Sequence, residues 1–241
     1  MMRTKIYLKS IAFMVMILPV VFSMGCKNQG GEKSEWTPLF DGETLDGWKT
    51  VSGEAEFYVE DNMIVGKSEL NKGAYLVTEK NYDDFVLELD AKIDTGLNSG
   101  VQCRGYIWPK DTTTMYKSGN QEGTVREMTW EAGYVTGYQM ELDPSDRAWS
   151  GGLYEPGNRG WLVTLKRNEA ARKAYDPLDW NHFKVRMEGD RIKTWVNGTL
   201  AVNATDTVWN SGFIGFQLHK AYHERQDGKH IRFKNIKIKE L

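Results

Sequence analysis

Cysteine is almost missing from this 241-residue chain, which has only Cys26 and Cys103. A disulfide framework is therefore excluded as the source of stability, and a packed core must supply it. A stretch of roughly 200 residues suffices, since a domain of that size buries about 70% of its unfolded surface. Neither charge is in clear excess: 31 basic and 33 acidic side chains leave a formal net charge of -2. Nucleic-acid binders usually carry a basic excess or stripe, and this composition offers none. Proline is scarce, at six residues, and repeats and low-complexity runs are lacking, which argues against disordered and helical-repeat architectures. Helical periodicity is also lacking, apart from Asn168 to Tyr175 (NEAARKAY), which could form two turns before Pro177 stops it. The longest apolar run, Ile11 to Phe22, falls short of the roughly 20 residues that a membrane-spanning helix needs.

That short run has another reading. Arg3, Lys5 and Lys9 precede it as a basic region, and Ser23-Met24-Gly25-Cys26 follows it. Together these resemble a bacterial lipoprotein signal, in which the cysteine is lipidated and becomes the new N-terminus. Ser23 departs from the aliphatic residue more usual there; the competing reading is an ordinary signal peptide with a chance cysteine. Residues 1–25 are accordingly expected to be removed and Cys26 to carry lipid, leaving Cys103 as the lone thiol. Lys27 to Glu35 (KNQGGEKSE) reads as a polar tether, and 36–241 as one domain. The expected location is the cell envelope, on its periplasmic or outer face, with the membrane contacted only through the lipid.

What the chain has in plenty is glycine (24), tryptophan (nine) and period-2 alternation. Phe85, Leu87, Leu89, Ala91 and Ile93 alternate with Glu88, Asp90 and Lys92, and Phe183, Val185 and Met187 alternate with Lys184, Arg186 and Glu188. Ile192, Thr194 and Val196 lead to Asn197-Gly198, a type I′ hairpin signal because both turn positions need positive φ; the return runs through Leu200 and Val202. Ile231 and Phe233 are followed by Ile236 and Ile238 with shifted parity, which predicts a bulge near Lys234 or Asn235. Many short strands without intervening helices predict an all-β antiparallel sandwich or jelly roll. Tyr106 to Thr136 reads as a long polar loop, a kind that is usually functional or disordered.

Three strands have an unusual polar side. Gln102 and Arg104 oppose Val101 and Cys103; Gln139, Glu141 and Asp143 oppose Tyr138, Met140 and Leu142; Gln217 and His219 oppose Ile214, Phe216 and Leu218. Solvated strand faces, such as Lys184-Arg186-Glu188, carry long flexible charges, whereas these carry no lysine. Amides, carboxylates, a guanidinium and an imidazole suit directional hydrogen bonding and proton transfer. If the strands share a sheet, the face is a concave platform for a polyhydroxylated ligand. Trp108, Trp130, Tyr134, Trp149, Tyr154 and Trp161, placed in or beside loops, could stack on sugar C–H faces or merely cap the sandwich ends. His219 and His223 have a zinc-like spacing only on a helix, where His219 does not lie. The Asn197-Gly-Thr and Asn203-Ala-Thr sequences read as turn chemistry and not as glycosylation sites.

The opening Trp36-Thr-Pro-Leu-Phe-Asp-Gly-Glu-Thr-Leu-Asp-Gly-Trp48 resembles the entry motif of the 3-keto-disaccharide hydrolase family. Asn98-Ser99-Gly100 with Arg104, Gly137 to Asp143, Ser150-Gly-Gly-Leu-Tyr154, Gly215-Phe-Gln-Leu-His219 and Ile231 to Leu241 extend the resemblance over 36–241. It implies a concanavalin A-like lectin/glucanase sandwich and action on glycosides whose C3 hydroxyl a partner sugar 3-dehydrogenase has oxidised. The ketone acidifies the C2 proton, so a base can remove it, the C1 oxygen can leave, and water can add back. On this reading Glu141 is the candidate base and His219 the acid, or the two exchange roles. Arg104, or a divalent metal held by Glu141, Asp143 and His219, would stabilise the enolate. Asn98, Gln102, Gln139, Asp143, Gln217, Tyr154, Trp108 and Trp149 would bind substrate.

Two alternatives stand beside this one. Glu141-Leu-Asp143 resembles the E-x-D core of retaining glucanases, although a second glutamate is missing from the continuation Asp143-Pro-Ser-Asp146. A glycan-binding surface lipoprotein without catalysis is the other. The N-terminal reading is tested directly: Cys26→Ser should move the protein from the membrane to the soluble fraction or stall its processing, as followed by fractionation. Unchanged membrane association would overturn the lipid anchor.

Overall fold

The computed structural model describes residues 35–117 and 124–241; the expected leader, Cys26 and all but the end of the tether lie outside them. In chain order the strands are β1 (Thr37–Pro38), β2 (Trp48–Val51), β3 (Phe57–Glu60), β4 (Met63–Lys67), β5 (Ala74–Tyr82) and β6 (Phe85–Ile93). Next come β7 (Ser99–Ile107), β8 (Thr112–Lys117), β9 (Val125–Trp130), β10 (Val135–Leu142), β11 (Leu153–Glu155) and β12 (Gly160–Val163). After helix α1 (Glu169–Ala174) follow β13 (Asn181–Glu188), β14 (Arg191–Val196), β15 (Thr199–Thr205), β16 (Gly212–Leu218) and β17 (His230–Glu240). One sheet runs β15-β14-β13-β6-β17-β4-β3 with β1 also on β17, and the other runs β2-β5-β16-β7-β10-β11-β12-β8-β9. The all-β sandwich read from the alternation is the observed fold.

The two sheets close over a single large core. Phe216 of the second sheet stacks on Phe233 of the first with ring centroids 4.2 Å apart, and Trp48 stacks on Phe216 at 5.2 Å. The anticipated bulge on β17 lies between Lys234 and Lys237, with Asn235 at φ +53°. That extra residue lets Ile231 and Phe233, then Ile236 and Ile238, all face inward. Asn197 and Gly198 both have positive φ, as the hairpin required. Leu200 departs from its expected place: a register shift between Thr194 and Trp195 buries Ala201 and Val202 and turns Leu200 outward. The stretch expected as a loop over 106–136 contains the β8–β9 hairpin, on which Thr112, Thr114 and Tyr116 are half-buried and their neighbours exposed. Asn168 caps α1 by accepting the Ala171 N–H.

Strands β16, β7 and β10 are neighbours, so Gln217, Gln102, Gln139 and Glu141 do share a sheet. Arg104 does not join them. It takes φ +53°, and the register of β7 against both β10 and β16 shifts around it. The bulge reverses the parity of the strand and sends the side chain to the sandwich edge. There Nε donates to the Asp83 carbonyl, Nη1 to the Gly189 and Trp209 carbonyls, and Nη2 to Asp84 Oδ1 at 2.8 Å. Gly137 is required opposite, since a Cβ there would meet the Arg104 carbonyl oxygen at 2.5 Å. Arg104 is thus a buried tie between three chain segments and not a catalytic group. Arg104→Met should cost roughly 3 kcal/mol or more by chemical denaturation, because it leaves buried acceptors unpaired, and Arg104→Lys should not rescue it, lacking the planar fork. Wild-type stability in either variant would contradict this role.

Candidate active site

The outward face of the second sheet forms a cavity of about 290 Å³ whose floor is a chain of amides ending on a carboxylate. Gln139 of β10 lies opposite Gln102 of β7, and Glu141 lies opposite Gly100. Gln102 Nε2 donates to Gln139 Oε1 at 2.9 Å, and Gln139 Nε2 donates to Glu141 Oε2 at 3.0 Å. Asn98, just before β7, donates to the other carboxylate oxygen at 2.7 Å. On the far side Gln217 donates to the Tyr75 hydroxyl at 2.7 Å. Gly100 explains itself here: a Cβ at that position would lie 2.3 Å from the Gln139 side chain, so only glycine lets the amide cross β7.

Glu141 is 5% exposed. Burial drives its pKa up to about 7; the Asn98 and Gln139 hydrogen bonds pull it down, the nearby Asp143 raises it, and Arg147 lowers it. A carboxyl close to neutrality can take or give a proton at physiological pH. His219, immediately after β16, also lines the cavity, and burial pushes its pKa below the ordinary 6.5. Its Nδ1 lies 3.1 Å from the Lys220 carbonyl. Since a carbonyl only accepts, Nδ1 carries the hydrogen and Nε2 is left for a ligand.

Arg147 was not anticipated, yet it is the cation of this cavity. Its Nη2 is 3.9 Å from Glu141 Oε1. Asp143 holds it, accepting from Nε at 2.7 Å, while the guanidinium stacks over Trp149 at 4.6 Å and Trp161 at 5.2 Å. The only signal was the i, i+4 spacing of Asp143 and Arg147 across a turn that sequence periodicity does not describe. Asp143 therefore does not line the cavity, as the substrate-binding and glucanase readings both required. Its Oδ1 accepts the Ser145 N–H as well. With those oxygens occupied, Glu141, Asp143 and His219 do not fit a divalent ion, and among the described residues no three His, Cys, Asp or Glu side chains are grouped to hold one.

The aromatic expectations divide. Tyr154 and Trp161 line the cavity, joined by Tyr134 and by Tyr116, which was missed because its strand is rich in threonine. The Tyr116 and Tyr154 hydroxyls lie 2.7 Å apart. Trp149 is buried behind Trp161, ring centroids 4.9 Å apart, and supports that ring instead of meeting a ligand. Trp108 is elsewhere, donating to the Gly157 carbonyl and packing on Tyr106 and Trp209. Trp130 packs on Tyr116 and Tyr134.

Residues 35–239 match the model of the 3-keto-alpha-glucoside-1,2-lyase-like domain. The chain belongs to that family. A 3-keto-disaccharide hydrolase of Bacteroides thetaiotaomicron is 21% identical, over 84% of this chain and 77% of the relative. Among solved structures, a candidate glycosyl hydrolase of Parabacteroides distasonis aligns with a TM-score of 0.55 at 21% identity, covering 86% of this chain and 94% of that one. A Bacillus subtilis protein with a galectin-like fold aligns with a TM-score of 0.54 at 9% identity, covering the same shares. These structural likenesses agree with the lectin-like sandwich.

Within this family member, the Glu141 environment has a thermodynamic signature. Its carboxyl titrates near 7 when folded and near 4.5 when unfolded. A raised folded-state pKa means stability present at low pH and lost as pH rises toward and through 7. Glu141→Gln, neutral at every pH, should therefore match wild type at pH 4 and exceed it by about 3 kcal/mol at pH 8. Denaturant titrations at the two pH values check this; a pH-independent difference would contradict the burial argument.

Proposed function

We propose that this protein cleaves 3-keto-glycosides, 3-keto-disaccharides among them, by elimination across C1–C2 followed by addition of water. Family membership and the relative's activity support the substrate class, and the observation that carries the mechanism is the adjacency of Arg147 to Glu141. A C2 proton becomes acidic only through the neighbouring C3 ketone, so the base and the cation that receives the enolate charge must be neighbours. Glu141 and Arg147 are such a pair, and His219 lies across the cavity toward β16.

The steps balance with these groups alone. The Glu141 carboxylate takes the C2 proton, and the C–H electron pair moves into an enolate whose oxygen faces Arg147. The enolate then reforms the C3 carbonyl, C1=C2 forms, the C1–O1 bond breaks, and the leaving oxygen takes the Nε2 proton of His219 in its imidazolium form, Nδ1 keeping the hydrogen it gives the Lys220 carbonyl. Water adds at C1, giving its proton to His219 while Glu141 returns one to C2. The net result is hydrolysis. Gln139, Gln217 and Asn98 present amides for sugar hydroxyls, and Trp161 offers a ring face. A separate C3 oxidation must supply the substrate. Export to the envelope on a Cys26 lipid belongs to the same proposal and rests on the N-terminal pattern.

The pair must hold one proton in total, which sets a bell-shaped kcat/KM profile. Activity should fall above about 7 as that proton leaves, and fall below the lowered imidazole value as a second one binds. Cleavage should be confined to 3-keto substrates, with exchange of the C2 proton into deuterated solvent. Glu141→Gln should abolish exchange and lower cleavage by roughly 10² to 10⁴, whereas His219→Asn should slow cleavage and retain exchange. Exchange persisting in Glu141→Gln would reverse the two roles. Cleavage of unoxidised glucosides would replace elimination with direct acetal chemistry.

A further inference from the structure

A second cavity, of about 410 Å³, adjoins the first and shares Tyr134, Gln217 and His219 with it. Its other walls come from the turn after β2, the segment before β5 and the segment after β16, and they include Asn71, Lys220 and Tyr222. The first cavity has its polar groups interlocked with one another, but this one does not. Among the described residues the Asn71 amide, the Lys220 ammonium and the Tyr222 hydroxyl have no side-chain hydrogen bond to protein. Lys220 lies 5.2 Å from the Tyr222 ring centroid, and Tyr222 packs at 5.3 Å on the His219 ring. Gly73 lets the segment before β5 lie close against the segment after β16, since a Cβ there would meet backbone atoms of Leu218 and Lys220 at 3.0 Å.

We infer that this second cavity is the subsite for the leaving group, and that it takes a sugar residue. The assignment rests on the proposed chemistry, in which His219 protonates the departing oxygen. A group bonded to that oxygen must lie beyond His219, on the side away from Glu141 and Arg147, and the second cavity is there. Unspent amide, ammonium and hydroxyl groups beside one tyrosine ring match a polyhydroxylated pyranose, which offers hydroxyls at its rim and C–H bonds on its face. Asn71, Lys220 and Tyr222 are exposed, and an aryl or alkyl leaving group lying over them would displace their water without replacing its hydrogen bonds.

The test compares two substrates in the full-length protein: a 3-keto-disaccharide and methyl 3-keto-glucoside, whose leaving group is too small to reach the cavity. Tyr222→Ala removes the ring, and Asn71→Gly removes the amide while tolerating the positive φ of 62° at that position. Each variant should lower the kcat/KM ratio of disaccharide to methyl glycoside by roughly tenfold. Free glucose should inhibit disaccharide cleavage competitively in wild type and about tenfold more weakly in Tyr222→Ala. Cleavage of both substrates by wild type with an unmoved ratio in both variants would overturn the subsite and leave the chemistry standing. If wild type cleaves neither, the chemistry and the subsite fall together.

Discussion

A carboxyl group buried on an all-buried strand is the constraint around which the site is organised. Every residue of β10 is withdrawn from solvent, one side by the core and the other by the amide floor and the loops above it. Glu141 sits there with its counter-charge, Arg147, beyond hydrogen-bonding distance. Its two hydrogen bonds offset part of the desolvation, and Arg147 is held at 3.9 Å because Asp143 takes its Nε. A direct bidentate pair between Arg147 and Glu141 would hold the carboxyl ionised, and an opposite charge in contact commonly lowers a carboxyl pKa by 1 to 3 units. Such a carboxylate is a weak base. Asp143 thereby keeps Glu141 near neutrality by keeping the guanidinium occupied.

The bulge at Arg104 sets where this polar floor ends. Before it, β7 carries Gly100 and the fully buried Gln102 beneath the Gln139 side chain, so that Gln102 supports the floor and does not line the cavity; beyond it lies a small apolar patch of Tyr75, Val77, Val135 and Phe213. Tyr75 belongs to both, burying its ring in the patch while its hydroxyl accepts from Gln217. The same parity change that closes the floor sends the Arg104 guanidinium to carbonyls near Asp84, Gly189 and Trp209. A single left-handed residue thus divides the face and ties the sheets at one edge, which is why Gly137 must stand opposite it.

The sandwich was legible because strand alternation is a local signal: each buried face declares itself within five or six residues. The polar set on β7, β10 and β16 was legible for the same reason, and Gln102, Gln139, Glu141 and Gln217 lie where alternation put them. Arg104 fails because alternation assumes an uninterrupted pleat, and an arginine in the left-handed region has no sequence mark comparable to Asn-Gly. Arg147 and Tyr116 stayed hidden for different reasons. The first is placed by a turn whose geometry depends on Asp143 and on the stacked Trp149 and Trp161. The second is on a strand whose inward positions are threonines. Tryptophan identity says that a large ring must be packed, and not which wall it packs, so Trp149 and Trp108 could not be told from Trp161.

The E-x-D pattern of β10 shows how one strand geometry serves two chemistries. Residues two apart on a strand lie roughly 6.5 Å apart on one face, a spacing from which two free carboxylates could act together at an acetal. Here the second carboxylate is consumed by Arg147, which changes its function from attacking group to holder of a cation. The proposed chemistry then runs across the sheet instead of along the strand. Arg147 serves the C3 oxygen, Glu141 the C2 proton and His219 the C1 oxygen, with β10 and β16 separated by two strand spacings of about 4.8 Å each. Three consecutive sugar carbons are met by three groups from separate parts of the chain, and the direction of that row determines on which side the leaving group must lie.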